Sequence, residues 1–206
     1  MIYEISPKNT ALLLIDVQME YFDSERPLYI PEAEATLANI NRAVNGARDA
    51  RAKVICIRHA HRPGGSDVGR KGDSNNDGVF VEGTPFVRFH PELKIDPADP
   101  IVTKRRHSAF EGTDLEQLLR GNSISAVVIA GFMTQFCCAS TARSAHDRDF
   151  RTLVLSDATA GRDLPDVGFG AWTRQQIQAV TLTCLANGIA EAITTTEFLN
   201  RIESGT

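Results

Sequence analysis

The sequence lacks the features that several protein classes require. Its 206 residues contain no apolar run close to the ~20 residues of a membrane-spanning helix. The N-terminus lacks the basic segment and apolar stretch of a secretory signal. The 22 basic and 26 acidic residues give a formal charge of −4, which offers no positive field for phosphate backbones. We therefore predict a cytoplasmic protein that binds neither membranes nor nucleic acid.

Cysteine is also scarce, and its spacing excludes two kinds of site. The four cysteines form no C-x-x-C pair, so we predict neither a disulfide framework nor a zinc site. Cys137 and Cys138 are adjacent, and neighbouring Cα atoms are only ~3.8 Å apart, below the usual disulfide window of ~4.4–6.8 Å. These two residues are interpreted as separate thiols.

Short apolar runs alternate with helical patterns along the chain. Residues 11–15 are apolar on both faces, which is typical of a central parallel strand. Further strands are predicted at 54–57, 101–104, 126–131, 152–157 and 189–194, and helices at about 31–47, 115–120, 135–149, 172–187 and 197–202. Thr113 and Glu116 have the spacing of a capping box for the second helix.

This alternation predicts a fold class. Six strands with intervening helices favour a three-layer α/β/α sandwich with a mostly parallel, Rossmann-like sheet. The composition does not change along the chain, so we predict a single domain over residues 1–206. Only the segment between His59 and Pro100 breaks the pattern. Such a long loop is either a lid or subunit contact over the active site, or a solvated, mobile insertion.

Three polar residues stand where strands end, which is where ligands bind in parallel α/β sheets. Asp16 and Lys104 end two predicted strands, and Cys137 lies near the start of the helix after a third. A neighbouring ammonium group and a helix N-terminus both favour the reactive thiolate. A carboxylate can take the thiol proton and return one to a leaving amine. We therefore predict Cys137 as nucleophile, Asp16 as general base and acid, and Lys104 as their electrostatic partner.

Each of these three residues also has a structural explanation when taken alone. The aspartate suits a turn, the lysine a solvated surface, and the cysteine a small buried position. Their common placement favours a functional interpretation. Helical spacing separates the two adjacent thiols, because Cys138 shares an apolar stripe with Ala142 and Ala145. Cys138 is therefore expected to face the sheet and Cys137 the cleft.

Three segments carry a resemblance to a known family. They are Leu13-Leu14-Ile15-Asp16-Val17-Gln18, Lys104 with Ser108-Ala109-Phe110-Glu111-Gly112-Thr113-Asp114-Leu115, and Gly131-Phe132-Met133-Thr134-Gln135-Phe136-Cys137. The chain resembles the isochorismatase-like cysteine hydrolases, which include nicotinamidases and N-carbamoylsarcosine amidohydrolases. The resemblance implies an Asp, Lys, Cys triad on a six-stranded sheet, a thioester intermediate, a small-molecule amide substrate and a homo-oligomer, either dimer or tetramer.

The resemblance also implies details of the site. A non-proline cis peptide is expected between Met133 and Thr134, and the backbone N–H groups of Met133 and Cys137 are expected to form an oxyanion hole. Four residues next to the matched motifs are expected on the cleft side, as lining of the substrate pocket: Gln18, Phe22, His59 and Phe110. For Phe22 and Phe110, burial in the core is the alternative.

Departures from particular subfamilies narrow the function. Nicotinamidases use an Asp-x-His segment for a metal, whereas here the sequence reads Arg58-His59-Ala60-His61. We therefore predict no metal and no cofactor, with His59 and His61 interpreted as polar loop residues rather than ligands. The intact triad favours amide cleavage over hydrolysis of the vinyl ether of isochorismate, and a catalytically idle binding module is the remaining alternative. A dinucleotide oxidoreductase is disfavoured, because no G-x-G-x-x-G follows the first strand.

Overall fold

A six-stranded sheet lies at the centre of the computed structural model, which describes residues 3–70 and 78–204. The strands are β1 (Thr10–Ile15), β2 (Lys53–His59), β3 (Ile101–Lys104), β4 (Ala126–Phe132), β5 (Arg151–Ala160) and β6 (Glu191–Ile193). Their order across the sheet is β3-β2-β1-β4-β5-β6, and every neighbouring pair is parallel. The predicted parallel α/β architecture is thus confirmed.

Helices cover both faces of this sheet. They are α1 (Ala33–Asp49), α2 (Leu115–Gly121), α3 (Ala139–His146), α4 (Arg174–Ala186) and α5 (Thr195–Ser204). Leu12 and Leu14 of β1 pack in one apolar cluster with α1 and α5, while Leu13 and Ile15 pack in a second cluster with α2, α3 and α4. Because successive strand residues point to opposite faces, β1 has to be apolar throughout, and it is fully buried.

The helix beginnings differ from the sequence pattern in one respect. The predicted capping box at Thr113 is wrong. The Thr113 hydroxyl donates to the Ala109 carbonyl at 2.6 Å and accepts from the Leu115 N–H at 3.3 Å, not from the Glu116 N–H, and the Glu116 carboxylate pairs with Arg148 at 3.1 Å. A complete capping box starts α4, where Thr173 and Gln176 exchange hydrogen bonds. Of the two residues assigned to the cap of α2, Thr113 thus bonds to its local backbone and Glu116 to a side chain distant in sequence.

Part of the long segment after β2 packs against the rest of the fold, while residues 62–66 and 94–98 are exposed. His61 bridges to Val81, and a short 3-10 helix spans Pro85–Val87. Phe80 and Leu93 are buried among the apolar residues of one face. The interpretation as a solvated, mobile insertion is wrong for these residues, whereas residues 71–77 lie outside the described part of the chain. No helix in the described ranges is long and apolar enough to cross a membrane.

Candidate active site

The carboxyl ends of four adjacent strands bring the predicted site residues together. Asp16 follows β1, His59 ends β2, Lys104 ends β3, and Cys137 lies in the connection after β4. The chain runs from β1 toward one edge of the sheet through β2 and β3, and toward the other edge from β4 onward. Such a reversal of strand order opens a crevice, where ligands of parallel α/β folds bind.

The Lys104 ammonium group is the centre of the cluster. Its Nζ lies 2.8 Å from Asp16 Oδ2, 3.2 Å from Cys137 Sγ and 3.0 Å from His59 Nδ1. It also donates to the Arg106 carbonyl at 3.1 Å. The four clustered side chains are buried, with at most 3% exposure for Cys137. The structure therefore brings together the three residues singled out in the sequence, with Asp16 and Cys137 both in direct contact with the Lys104 ammonium group.

The surroundings of these groups favour their charged forms. Burial alone would raise the pKa of Asp16, but the Lys104 ammonium and the His59 imidazole outweigh it and lower the pKa to about 2. Burial alone would lower the pKa of Lys104, but the adjacent Asp16 carboxylate and Cys137 raise it above the usual value. At neutral pH the site thus holds a buried carboxylate and a buried ammonium group.

The neighbouring thiol has a different environment. Cys138 is fully buried beside Ala142 and Ala145, as the helical stripe predicted. Burial and the proximity of Cys137 raise the pKa of Cys138 well above the usual range of a thiol. Cys138 therefore stays protonated, whereas Cys137 contacts the Lys104 ammonium and lines a cavity.

The backbone around Asp16 and Cys137 depends on two unusual conformations. Asp16 has φ of 49°, and its N–H donates to the Ile57 carbonyl of β2 at 3.0 Å. Gly131 on β4 has φ of 121°, and a Cβ there would lie 2.0 Å from the Ile15 carbonyl oxygen. Only glycine permits this close approach, so Gly131 allows β4 to deliver Cys137 beside the end of β1.

His59 is the last residue of β2 and His61 lies two residues after it, and both are buried at the site. Their interpretation as polar loop residues is thereby corrected. His59 and His61 are buried, with their Nε2 atoms 3.0 Å apart. Phe80 stacks on His59 at a centroid distance of 4.6 Å. The His61 N–H donates to the Phe80 carbonyl at 2.8 Å, and the Glu82 N–H donates to the His61 carbonyl at 2.9 Å. These contacts fold the segment after β2 back over the site, which no local sequence pattern indicates.

Asp16, His59 and Cys137 are also a possible set of metal ligands. One ligand atom of each lies within 4.8 Å of the others. However, the Lys104 ammonium already contacts all three side chains. A metal ion would have to displace this positive charge from a buried position between them. The arrangement therefore fits a lysine-centred cluster better than a metal centre.

A cavity of about 900 Å³ reaches Cys137. Its apolar lining includes Tyr21, Leu28, Phe80, Met133 and Phe136. Its lining also includes four cationic side chains, Arg70, Arg105, Arg106 and Arg162, and the imidazole of His107, whose Nδ1 lies 3.8 Å from Cys137 Sγ. This volume falls within the range of small-molecule sites in proteins.

Of the four residues predicted to line the substrate pocket, only His59 lines this cavity. The Gln18 amide is used by backbone groups, because it donates to the carbonyls of His59 and Val87 and accepts from the His59 N–H. Phe22 packs edge-on against Phe132. Phe110 packs against Phe150 in the opposite apolar cluster. Phe22 and Phe110 therefore pack with other apolar residues, which was the alternative to a place in the substrate pocket.

The cis peptide lies one bond earlier than expected, between Phe132 and Met133. The Met133 carbonyl accepts hydrogen bonds from the N–H groups of Phe136 and Cys138. The Met133–Thr134 peptide therefore already belongs to the π-helical turn Thr134–Cys138 that precedes α3. Met133 and Cys137, the expected oxyanion donors, both line the cavity, and Thr134 is buried.

Several lining residues were not identified from the sequence. Arg106 and His107 lie two and three residues after Lys104, so a search of the residues after each strand end would have found them. Phe80 and Arg162 come from irregular segments without periodic signals. Their places in the cavity wall depend on how those segments fold back over the sheet.

A buried cysteine with aspartate and lysine partners, at the carboxyl edge of an all-parallel six-stranded sheet, defines the class of three-layer α/β cysteine hydrolases. The particular family is the isochorismatase family, to which the chain belongs: the Isochorismatase domain model matches residues 10–186.

Relatives and solved structures agree with this assignment. The secreted isochorismatase effector Isc1 of Verticillium dahliae is 29% identical over 162 residues, covering 79% of this chain and 78% of that protein. Nicotinamidase 3 of Arabidopsis thaliana is 32% identical over 155 residues, covering 74% of each chain. The crystal structure of a cysteine hydrolase from Pseudomonas syringae pv. phaseolicola 1448A has a TM-score of 0.95 and 34% identity, covering 100% of this chain and 97% of that one.

Proposed function

We propose that this protein hydrolyses a carbon–nitrogen bond of a small amide through a thioester on Cys137. The observation that carries the proposal is the single ammonium group of Lys104 in contact with both Asp16 and Cys137 Sγ. A buried cation stabilises the thiolate, which is the nucleophilic form of cysteine. The similarity to a nicotinamidase adds support for an amide as substrate.

In the proposed reaction, Asp16 accepts the thiol proton and the Cys137 sulfur attacks the amide carbonyl carbon. The backbone N–H groups of Met133 and Cys137 stabilise the resulting oxyanion. The carbon–nitrogen bond then breaks, and Asp16 returns its proton to the departing ammonia or amine, leaving a thioester. A water molecule, deprotonated by Asp16, hydrolyses the thioester and releases the carboxylic acid and the thiol.

Thiol labelling tests the nucleophile. Cys56 and Cys138 are buried and the pKa of each is raised, for Cys56 to about 12, whereas Cys184 is exposed. In a Cys184→Ser background, limiting iodoacetamide should therefore label Cys137 first, as mapped by mass spectrometry. Labelling of Cys138 before Cys137 would contradict the assignment.

Activity measurements test the reaction. Ammonia release over a panel of small primary amides should be abolished by Cys137→Ala and retained by the matched control Cys138→Ala. Asp16→Asn should reduce turnover by about 10²- to 10⁴-fold, the usual contribution of a positioned acid or base. An acyl adduct on Cys137 in quenched samples would identify the thioester. Full ammonia release by Cys137→Ala would show that the covalent mechanism is wrong. Hydrolysis of a vinyl ether such as isochorismate, with no ammonia release from any amide, would indicate an ether hydrolase, and absence of any turnover would indicate a binding module.

We also propose that the protein forms a homo-oligomer through α4 and the loop before it. The exposed apolar side chains Val167, Phe169, Trp172 and Val180 are concentrated there, with Phe169 83% exposed. Such clusters mark association surfaces. Phe169→Ser should shift the sedimentation coefficient toward that of a monomer, whereas Ile101→Ser, at an exposed position on the edge strand β3, should not. A monomeric wild-type protein would refute the proposal.

A cytoplasmic location is proposed as well. Its support is that all four cysteines are free thiols, which is typical of a reducing compartment. Recovery of the native protein only in the secreted fraction would refute this location.

A further inference from the structure

One arginine of the cavity wall lies next to the Lys104 cluster and has no acidic partner among the described residues. Arg106 Nη1 donates to the Asp67 carbonyl at 2.7 Å and to the Arg105 carbonyl at 2.8 Å. Its own carbonyl accepts from the Lys104 ammonium. The guanidinium thus bonds only to backbone carbonyls. Within the described residues, no carboxylate neutralises its charge.

A second arginine reaches the same cavity from another wall. Arg162 follows β5, and its Nη1 donates to the Pro27 carbonyl at 3.0 Å. Its Nε is buried and has no hydrogen-bond partner. A buried donor left without an acceptor is unfavourable, and a ligand oxygen would satisfy it. Among the residues that the structure describes, Arg162 also has no carboxylate partner.

Two other cations of the site, Arg105 and Lys104, are already balanced. Arg105 pairs with Asp67 at 2.9 Å and with Glu82 at 3.2 Å, and Lys104 pairs with Asp16. The described lining of the cavity includes no aspartate or glutamate. Arg106 and Arg162 therefore leave an excess of positive charge in this cavity, although the whole chain carries a formal charge of −4.

This excess of charge indicates the chemical class of the substrate. Guanidinium groups bind carboxylates through charge-assisted, often bidentate hydrogen bonds. The remaining wall is largely apolar, with Leu28, Phe80 and Phe136 among its residues. We propose that the substrate is an amide that also carries a carboxylate, with an apolar linker between them. Arg106 and Arg162 bind the carboxylate while the amide lies at Cys137. This inference rests on the proposed amidohydrolase function.

Matched pairs of substrates test the inference. Succinamate, glutaramate and adipamate differ in linker length, and each has a neutral methyl ester that keeps the amide. Ammonia release should give a higher kcat/KM for at least one acid than for its ester, by ten-fold or more. Arg106→Gln and Arg162→Gln should each reduce this preference by about 10- to 100-fold, mainly through KM.

Two further variants separate a binding role from a structural one. Arg42→Gln removes a positive charge from the exposed side of α1, where Arg42 contacts Asn39 and Thr196, and should keep the wild-type preference. Arg162→Lys keeps the charge but loses the fork geometry, and should retain part of the preference. Equal hydrolysis of acids and esters by the wild-type protein, or an unchanged preference in both glutamine variants, would overturn the inference.

Calorimetric titration with glutarate, which contains no amide, distinguishes failure of this inference from failure of the proposed function. If no amide is hydrolysed but glutarate binds and binding is lost in Arg162→Gln, the carboxylate site is supported and the hydrolase proposal fails. If amides are hydrolysed without preference for acids, the hydrolase proposal is supported and the carboxylate site fails. Absence of both glutarate binding and acid preference in the wild-type protein would overturn the carboxylate site.

Discussion

Removing both members of the buried Asp16–Lys104 ion pair should destabilise the protein by less than the sum of the two single removals. The two charged atoms lie 2.8 Å apart, and both side chains are fully buried. Asp16→Asn leaves the ammonium group without a carboxylate, and Lys104→Met leaves a buried carboxylate without a cation. Each change should cost about 3–5 kcal/mol of unfolding free energy. The double variant contains neither charge, so its loss should be at least about 2 kcal/mol smaller than the sum of the two single losses.

The pKa of Asp16 gives a second magnitude for the same pair. Burial alone would raise this pKa, but Lys104 and His59 lower it from 3.8 to about 2. A carboxyl pKa that is lower in the folded state stabilises the protein above the unfolded value, and this stabilisation is lost as the pH falls toward 2. The difference between the two pKa values corresponds to about 2 kcal/mol. The wild-type protein should therefore lose about 2 kcal/mol more than the double variant between pH 5 and pH 2.

Urea denaturation followed by circular dichroism and tryptophan fluorescence measures these free energies. Coincident transitions and equal m-values across the variants are required for the comparison. Lys53→Met is the matched control, because Lys53 is exposed at the start of β2, and the same chemical change should stay within about 0.5 kcal/mol there. Additive losses in the double variant, or single losses no larger than that of the control, would refute the argument that this pair is coupled and buried.

Three further predictions concern backbone positions that support the site, and urea denaturation measures each. Gly131→Ala should reduce the free energy of unfolding by about 3 kcal/mol or more, because the added Cβ would overlap the end of β1 and the residue has a φ of 121°. A Cβ at Gly121 would have nothing within 4 Å, so Gly121→Ala should be nearly neutral. Equal stability of the two variants would contradict this prediction. Gln18→Ala should cost about 2–4 kcal/mol, because it leaves the His59 N–H and the carbonyls of His59 and Val87 without the side-chain amide that bonds to them. A loss below 1 kcal/mol would show that water replaces the amide. Thr173→Ala should cost about 1 kcal/mol through the capping box with Gln176, and a neutral result would show that α4 does not depend on its cap.

The order of strands and helices and the central cluster could be predicted from the sequence. The reason is that both are local patterns. A strand buried on both faces has to be apolar throughout, as β1 is, and a polar residue directly after it, such as Asp16, lies at the carboxyl edge of the sheet. Lys104 is the last residue of β3, and Cys137 lies in the turn after β4, so both are at the same edge of the sheet. The helical spacing of Cys138, Ala142 and Ala145 likewise distinguished the two adjacent thiols.

The use of particular polar side chains was decided by tertiary structure. Gln18 looked like a pocket residue because it follows a catalytic motif, yet its amide bonds to backbone groups far along the chain. Glu116 was expected in the capping box of α2, yet its carboxylate pairs with Arg148, 32 residues along the chain. Phe80 and Arg162 reached the cavity only because irregular segments fold over the sheet. Periodicity reports which face of an element is buried, but hydrogen bonds and charges between distant segments depend on three-dimensional packing, which no local pattern encodes.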